Sequence, residues 1–469
     1  MSTAEPSQHL YLKRLHVKNM RGFQGAEISF VDDSGAPRPL TLVLGDNGSG
    51  KTTILRALAL GLSQEKEASA LAGALRGSFI RINKKGNVEP EAEIRLELVD
   101  PQAPDEVFTT RTVVTRRASG EESFQRFTEP ADFPWDRIFV CGYGVNRGTG
   151  QRSESAPSSY SRLDALETLF DDNAALIDAV EILKTLKLAT ADELDGEMAE
   201  KRFRSVLNHL KGLFQLQPSY AISVGENGDT PKPHGEDEIS VSARAGVRVS
   251  GPWGTLPFQA LGDGYRGTAG WFLDLVYRAF LADRLPAHGA PAGVVLIDEI
   301  DEHLHPSWQK RLIPILRKRF PELQFVGTTH SPMSMVNCQG DELFATRLVN
   351  TQSTVEPLGD PGRKTADTLL RGSWFGLAST LDEASEKMLL DFQAAVRRRE
   401  DPDTLRRKRD ALKAHIGVLF ESPLDLFALE VVEAFRHQAQ GTTEERREAV
   451  RAAASRLRER LDKPASEAG

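Results

Sequence analysis

Apolar and polar residues alternate from Leu10 to Phe30, with Leu12, Leu15 and Val17 followed by Ile28 and Phe30. This period of two predicts two short strands joined at Arg21-Gly22. Leu40 to Leu44 is a short apolar run; glycines follow at once, and Ile54 to Leu62 repeats its apolar residues at helical spacing. The prediction there is strand, glycine loop, helix. Between Phe79 and Phe139, alternating segments such as Glu93 to Val99 and Val107 to Thr115 are separated by Pro, Asp and Gly, which predicts an antiparallel sheet. A strand is expected from Arg137 to Tyr143 and a mobile Ser/Pro-rich loop from Ser153 to Ser161. Asp164 to Phe214 reads as mainly helical, without the sustained heptads of a coiled-coil arm.

Strand-like alternation returns from Ile222 to Val249 around a Gly/Pro/Asp-rich loop at Glu226 to Asp237, and Phe258 to Leu285 reads as a loop feeding a helix. Val294 to Ile297 and Gln324 to Gly327 are short apolar runs that suit buried strands. After about Ser379 the chain is helical and highly charged, with breaks at Asp401-Pro402 and Glu421-Ser422-Pro423. No internal repeat is visible.

Composition narrows the picture. With 469 residues and 40% hydrophobic content the chain can bury a large core, and two or three domains are expected. The formal net charge of -8 excludes a general nucleic-acid coat, so any such contact has to be local. Cys141 and Cys338 are the sole cysteines, which rules out a disulfide framework and fits two ordinary thiols in a reducing compartment. Met1 to His9 is polar without a leader pattern, and no apolar run reaches membrane-spanning length. The expectation is a cytoplasmic chain without membrane contact.

Two segments carry chemistry. Gly45-Asp46-Asn47-Gly48-Ser49-Gly50-Lys51-Thr52 fits a P-loop and lies between a buried strand and a helix, where the pattern has physical meaning. Gly45, Asn47, Gly48, Ser49 and Gly50 let backbone N–H groups turn around phosphates. Lys51 reaches the terminal phosphates, Thr52 offers a hydroxyl to Mg²⁺, and Thr53 continues into the helix. Val294 to Ile297 ends in Asp298-Glu299, the layout of the Walker B strand of P-loop enzymes. Asp298 is assigned to the Mg²⁺ shell, and Glu299, facing the other way, to polarising the attacking water. ATP and Mg²⁺ are the implied cofactors, and Lys51 and Glu299 are expected catalytic residues, to which the ABC resemblance of the segment around His330 adds that histidine.

Further motifs resemble ABC ATPases. Leu261-Gly262-Asp263-Gly264-Tyr265-Arg266-Gly267 opens a helix and resembles a degenerate signature loop, with Asp263 where the usual motif has Ser or Gly. Thr329-His330-Ser331-Pro332 resembles the switch-histidine segment, whose imidazole senses the γ-phosphate. The resemblance implies that Leu261, Asp263 and Gly264 of one copy cover the nucleotide held by another, so that a homodimer forms through composite ATP sites. Asp301, His303 and His305 have a spacing that a metal accepts, but they fall where such ATPases cross the dimer interface. Gln151 stands near the position of a metal-sensing glutamine.

The segment Asp298-Glu299-Ile300-Asp301-Glu302-His303-Leu304-His305-Pro306-Ser307-Trp308-Gln309, with Leu261 to Gly267, Thr329 to Pro332 and Trp374-Phe375-Gly376-Leu377, resembles the overcoming-lysogenization-defect-like and PtuA group of bacterial ATPases. These are the ATPases of Septu and retron-associated anti-phage systems. The likeness covers about Leu10 to Ser379. It implies an α/β fold: an ABC-type P-loop ATPase head with a mixed sheet and flanking antiparallel strands, a helical insertion and a C-terminal helical module. The expected limits are 1–163 and 221–378 for the two lobes of the head, 164–220 for the helical insertion and 379–469 for a charged tail that offers a partner-binding module.

The group's members dimerise through their heads, and higher oligomers fit the same scheme. In the Septu case they act with a separate HNH nuclease, PtuB, so nucleic acid is reached through the complex. After His330 this chain shows no glutamate-glycine-rich strand followed by an Asp-x-Asp pair, as a TOPRIM nuclease would have, and it shows no His-Asn-His arrangement with metal-ligand spacing. The expectation is an ATP-hydrolysing switch that controls a separate effector. Two rival readings are a DNA-binding repair ATPase resembling RecF and an ATP-bound scaffold with little turnover. A transporter ATPase is disfavoured by the roughly two hundred residues between P-loop and signature, room for an inserted domain. The basic runs Arg397-Arg398-Arg399 and Arg406-Arg407-Lys408-Arg409 alternate with Glu400, Asp401, Asp403 and Asp410, as on a solvated helix face.

Overall fold

The computed structural model describes residues 9–75, 77–83, 85–146, 156–192, 196–214, 239–242, 246–251, 254–285, 291–362, 364–372, 375, 382–398 and 400–416. The chain begins with β1 (Tyr11–Met20), β2 (Phe23–Ser29), β3 (Leu40–Gly45), α1 (Lys51–Gly61), α2 (Glu65–Ala74), β4 (Glu91–Asp100), β5 (Ala103–Arg116), β6 (Glu122–Glu129) and β7 (Val140–Tyr143). It continues with α3 (Arg162–Leu166), α4 (Ala179–Asp192), α5 (Gly196–Phe214), β8 (Ile239–Ser242), β9 (Gly246–Gly251), β10 (Gly254–Pro257) and α6 (Asp263–Leu281). There follow β11 (Gly293–Ile297), α7 (Pro306–Arg319), β12 (Leu323–Thr329), α8 (Pro332–Met335), β13 (Leu343–Val349), β14 (Gln352–Pro357) and α9 (Ala366–Arg371). Last come α10 (Glu383–Arg397) and α11 (Pro402–Ile416). Two units divide the chain, Met1–Gly376 and Leu377–Gly469.

In the first unit the described strands form one eleven-stranded mixed sheet in the order β6-β5-β4-β1-β2-β14-β13-β3-β12-β11-β7, and β10-β9-β8 form a small second sheet. β13, β3, β12, β11 and β7 run parallel, whereas β6, β5, β4, β1 and β2 form an antiparallel wing. The two parts differ in sequence for a physical reason. Strands β3 and β11 are covered on both faces and read as apolar runs, interrupted in β3 only by the buried Thr41, while β1 and β4 alternate.

Period-two geometry sends Val43, Val294 and Leu296 into a core shared with α1 and α2. Leu42, Leu44, Val295 and Ile297 point into the opposite core, with α4, α5, α6 and α7. Helices α4 and α5, expected as an insertion, thus share that second core with α6 and the sheet. A difference from expectation lies at Arg137: Trp135–Arg137 is a 3₁₀ turn after Pro134, closed by the Ile138 amide on the Trp135 carbonyl, and the strand starts at Val140. Among the described residues no helix is long and apolar enough to cross a membrane.

Because β3, β7, β11 and β12 are parallel, their C-terminal ends fall on one edge of the sheet. That edge carries Gly45, Gly144, Asp298 and His330, and it is where open parallel sheets bind ligands.

In the second unit α10 and α11 pack on each other, burying Ala395 and Leu412, and Lys408 lies 3.4 Å from Glu400 and 3.9 Å from Asp391. Arg409 pairs with Asp410 at 3.0 Å, so the basic run is partly neutralised within its own helix. Arg399 and the break at Glu421-Ser422-Pro423 lie outside the described residues, as do the loop Glu226 to Asp237, Trp374, Gly376 and Leu377.

Candidate nucleotide site

The glycine loop leaves β3 at Gly45 and enters α1 at Lys51. Gly50 caps the helix at φ 111°, and a Cβ there would sit 2.6 Å from the Phe23 ring, so both the backbone turn and the close approach require glycine. The loop is braced from behind by β13. Ser49 and Thr346 share a hydroxyl–hydroxyl hydrogen bond of 2.6 Å, and Thr346 also donates to the Leu44 carbonyl at 3.0 Å. Lys51 Nζ donates to the carbonyls of Gly45 (2.9 Å) and Asp46 (3.2 Å). Burial pulls the ammonium below its usual pKa, against the attraction of Asp298, Glu299 and Asp46.

Opposite the loop, the buried Asp298 accepts a 2.6 Å hydrogen bond from the Thr52 hydroxyl at Oδ2. Its Oδ1 accepts from the Thr328 hydroxyl, and that same Thr328 oxygen accepts the Glu299 backbone N–H at 2.8 Å. One threonine therefore sets both carboxylate residues. Glu299 turns away from the strand with φ 47°, in the left-handed region, which separates its side chain from that of Asp298. Its Oε1 lies 3.7 Å from His330 Nε2. That nitrogen is buried and has no hydrogen-bond partner among the described residues. Burial, then Lys51, hold the His330 pKa below the ordinary imidazole value, against Glu299, Asp301 and Asp298.

The segment after Asp298 locks the histidine loop. Asp301 accepts from the hydroxyls of Thr329 (2.6 Å) and Ser334, while the Gln309 amide oxygen accepts from Ser331 at 2.7 Å. Gln309 Nε2 in turn donates to the Leu304 carbonyl at 3.1 Å. Asp301, His303 and His305 have separate tasks: Asp301 is buried in this network, His303 is exposed, and His305 caps α7 by accepting from the Ser307 amide at 3.3 Å.

Lys51, Thr52, Asp298 and Glu299 line a cleft of about 520 Å³ with Asn47, Gly48, Gly50 and Thr53, and His330 stands behind Glu299. Arg21, Arg56, Asp172 and Leu348 line it too, and sequence reasoning missed them. Arg21 is recognisable only as the predicted β1–β2 turn; it has φ 49°, its guanidinium lies 5.2 Å over the Phe79 ring, and burial lowers its pKa against the pull of Glu122. Arg56 Nε donates to the Leu169 carbonyl at 2.6 Å.

The structure does not bring Leu261, Asp263 and Gly264 into this cleft. Leu261 is buried, Gly262 caps α6, and α6 starts at Asp263. A Cβ on Gly264 would lie 2.7 Å from the His303 carbonyl, and the Tyr265 and Trp308 rings meet at 4.3 Å. Gln151 lies outside the described residues.

Residues 40–335, more than half of the chain, match the family described as "AAA domain, putative AbiEii toxin, Type IV TA system". The chain belongs to this AAA domain family. The matched stretch runs from the start of β3 to the end of α8 and holds the P-loop, Asp298, Glu299 and His330, whereas Arg21 and Leu348 reach the cleft from outside it.

Among relatives, "Septu protein PtuA" of Bacillus mycoides (strain KBAB4) is 24% identical over 386 residues, 80% of this chain and 46% of its own length. The chain thus spans just under half of that relative. "Retron Vc95 probable ATPase" of Vibrio cholerae serotype O1 biovar El Tor is 28% identical over 416 residues, covering 76% of this chain and 78% of the relative. "Retron Ec83 probable ATPase" of Escherichia coli is 68% identical over 70 residues, 15% of this chain and 12% of the relative. Among solved structures, an SMC head bound to the C-winged helix domain of ScpA is similar at TM-score 0.44 and 18% identity, over 74% of this chain and 98% of that one.

The donors facing the Lys51 side of the cleft fit Mg²⁺. The Thr52 hydroxyl and the Asp298 carboxylate are hard oxygen ligands already in register with each other, and such a pair leaves room for the waters and phosphate oxygens that Mg²⁺ retains.

Proposed function

We propose that this AAA domain binds and hydrolyses ATP in the cleft described, and that two copies assemble on ATP as a switch controlling a separate effector in an anti-phage defence complex. The observation that carries the reading is the convergence of the Thr52–Asp298 pair, Lys51 and the Glu299–His330 pair at one sheet edge. Lys51 and the backbone N–H groups at the start of α1 bind the terminal phosphates. Thr52 and Asp298 hold Mg²⁺, which when bound neutralises phosphate charge. Glu299 orients a water and accepts its proton; His330 Nε2, left without a hydrogen-bond partner among the described residues, hydrogen-bonds the terminal phosphate.

The names of the Septu and retron relatives support the defence setting. The dimer is supported by the position of Leu261 to Gly267. This segment forms the N-terminus of α6 outside its own chain's cleft, where its backbone N–H groups suit a phosphate held by a second copy. The effector is proposed to be an HNH nuclease, through which the complex reaches nucleic acid. The helical second unit is proposed as its docking module. ATP occupancy then shifts the population of one assembly over another.

Solution mass tests the switch. Mg-ATP is expected to convert wild-type chain to a dimer or larger assembly, Glu299→Gln to accumulate it, and Lys51→Ala to abolish it. A mass indifferent to ATP and to both substitutions overturns the proposal. A separate prediction concerns the residue that sequence reasoning missed: Arg21→Ala is expected to weaken equilibrium ATP binding about 10- to 100-fold, the scale of one charged hydrogen bond. Unchanged affinity would remove Arg21 from the binding set.

A further inference from the structure

The cleft has two unlike kinds of lining. Lys51, Asp298 and Glu299 give the lining its charge around the Thr52 hydroxyl, whereas Gly22, Leu348 and Ser353, joined by the Leu348–Ser353 strand pair and the close approach of Gly22 to Ser353, are uncharged. We propose that the β13–β14 hairpin supplies the nucleoside-base platform of the site, with Leu348 as its apolar ledge. The inference rests on the nucleotide reading above and adds to it the part of the ligand that the phosphate-binding loop does not address.

Three observations support it. First, the hairpin is built to hold its tip in place. β13 and β14 pair from Phe344↔Pro357 to Val349↔Gln352, and the two connecting residues Asn350 and Thr351 have φ 50° and 69°, both left-handed, as a two-residue turn matched to strand twist requires.

Second, the hairpin is anchored beside the phosphate loop. Thr346 holds Ser49, and Ser353 pairs with Phe23 across β14–β2. A Cβ on Gly22 would stand 2.3 Å from Ser353 Oγ, so the missing side chain lets the hairpin close on the β1–β2 turn. Third, apolar surface at the tip is unpaid by packing. Leu343 to Ala345 are buried, yet Leu348 is 59% exposed while lining the cleft. A scattered surface leucine needs no explanation; one on the wall of a ligand cleft, paired across the hairpin with Ser353, offers an apolar surface to the face of a planar heterocycle.

The test compares Mg-ATP with Mg-tripolyphosphate in equilibrium titrations of the full chain as wild type, Leu348→Asp and Leu348→Met. Leu348→Asp is expected to weaken ATP at least tenfold while tripolyphosphate affinity stays within twofold, and Leu348→Met to keep ATP affinity. Equal weakening of both ligands, or ATP affinity unchanged in Leu348→Asp, overturns the platform. ATP-driven assembly lost with ATP affinity intact would overturn it as well, and would assign Leu348 to contact between copies. A wild-type chain that binds neither ligand instead overturns the nucleotide reading itself.

Discussion

Glu299→Gln is expected to lower steady-state ATP hydrolysis about 10²- to 10⁴-fold, the usual contribution of a positioned general base, while ATP affinity changes little. The expectation follows from how the residue is held. Its backbone N–H is fixed by the Thr328 hydroxyl and its φ of 47° is set by the end of β11, so neither depends on the charge of the side chain. Glutamine keeps the volume and the reach toward His330 but cannot take a proton. Asp298, held by Thr52 and Thr328, is untouched, which is why binding survives. Phosphate release under saturating Mg-ATP and equilibrium ATP binding are the two measurements. A rate equal to wild type would show that the carboxylate does not act on water, and the chain would then stand as an ATP-bound scaffold.

What was legible in the sequence was local. The P-loop and the Asp298-Glu299 strand end announce themselves because each is a contiguous segment whose apolar pattern and turn chemistry agree. The mainly helical reading of Asp164 to Phe214 and the alternation at Glu93 to Val99 and Val107 to Thr115 lead to α3, α4 and α5 and to β4 and β5. The contacts that complete the site were not legible, because they join segments far apart in the chain. Thr52 meets Asp298 across 246 positions and Ser49 meets Thr346 across 297, and no local pattern encodes which strand lies next to β3.

The β13–β14 hairpin escaped for a related reason. Its turn, Asn350-Thr351, lacks the glycine that usually marks a two-residue hairpin, and its left-handed backbone is imposed by pairing on both sides. The bracing of His330 by Asp301, Gln309 and Ser331 was hidden for another reason. Asp301 and the two histidines at a metal-compatible spacing drew the eye to metal or interface chemistry, while the structure uses Asp301 as a buried acceptor for hydroxyls. Arg21 carried no signal beyond its place in a turn.

The second large effect concerns a buried charge that the sequence did not mark. Asp274 and Arg278 lie one turn apart on α6, both buried, and Arg278 Nε donates to Asp274 Oδ2 at 2.7 Å. The same oxygen accepts from the buried Tyr143 hydroxyl at 3.0 Å. Burial works against the Arg278 charge, but the attraction and hydrogen bond of Asp274 outweigh it and raise the guanidinium pKa. Tyr143 sits at the end of β7, and its carbonyl accepts the Asp298 N–H at 2.8 Å. The ion pair thus ties α6, which opens at Gly262-Asp263, to the strand ends that carry the carboxylates.

Asp274→Ala leaves a cation in a dry core without its partner, and the expected loss is about 3–5 kcal/mol of unfolding free energy, read by denaturant titration. A cavity alone would cost the same whatever stands at position 278; an uncompensated charge would not. The double substitution Asp274→Leu with Arg278→Met is therefore expected to recover most of the stability, since apolar replacement of a whole buried pair is often neutral. If the double variant is as unstable as Asp274→Ala, packing rather than charge governs this part of the core, and α6 is held to β7 by its apolar contacts alone.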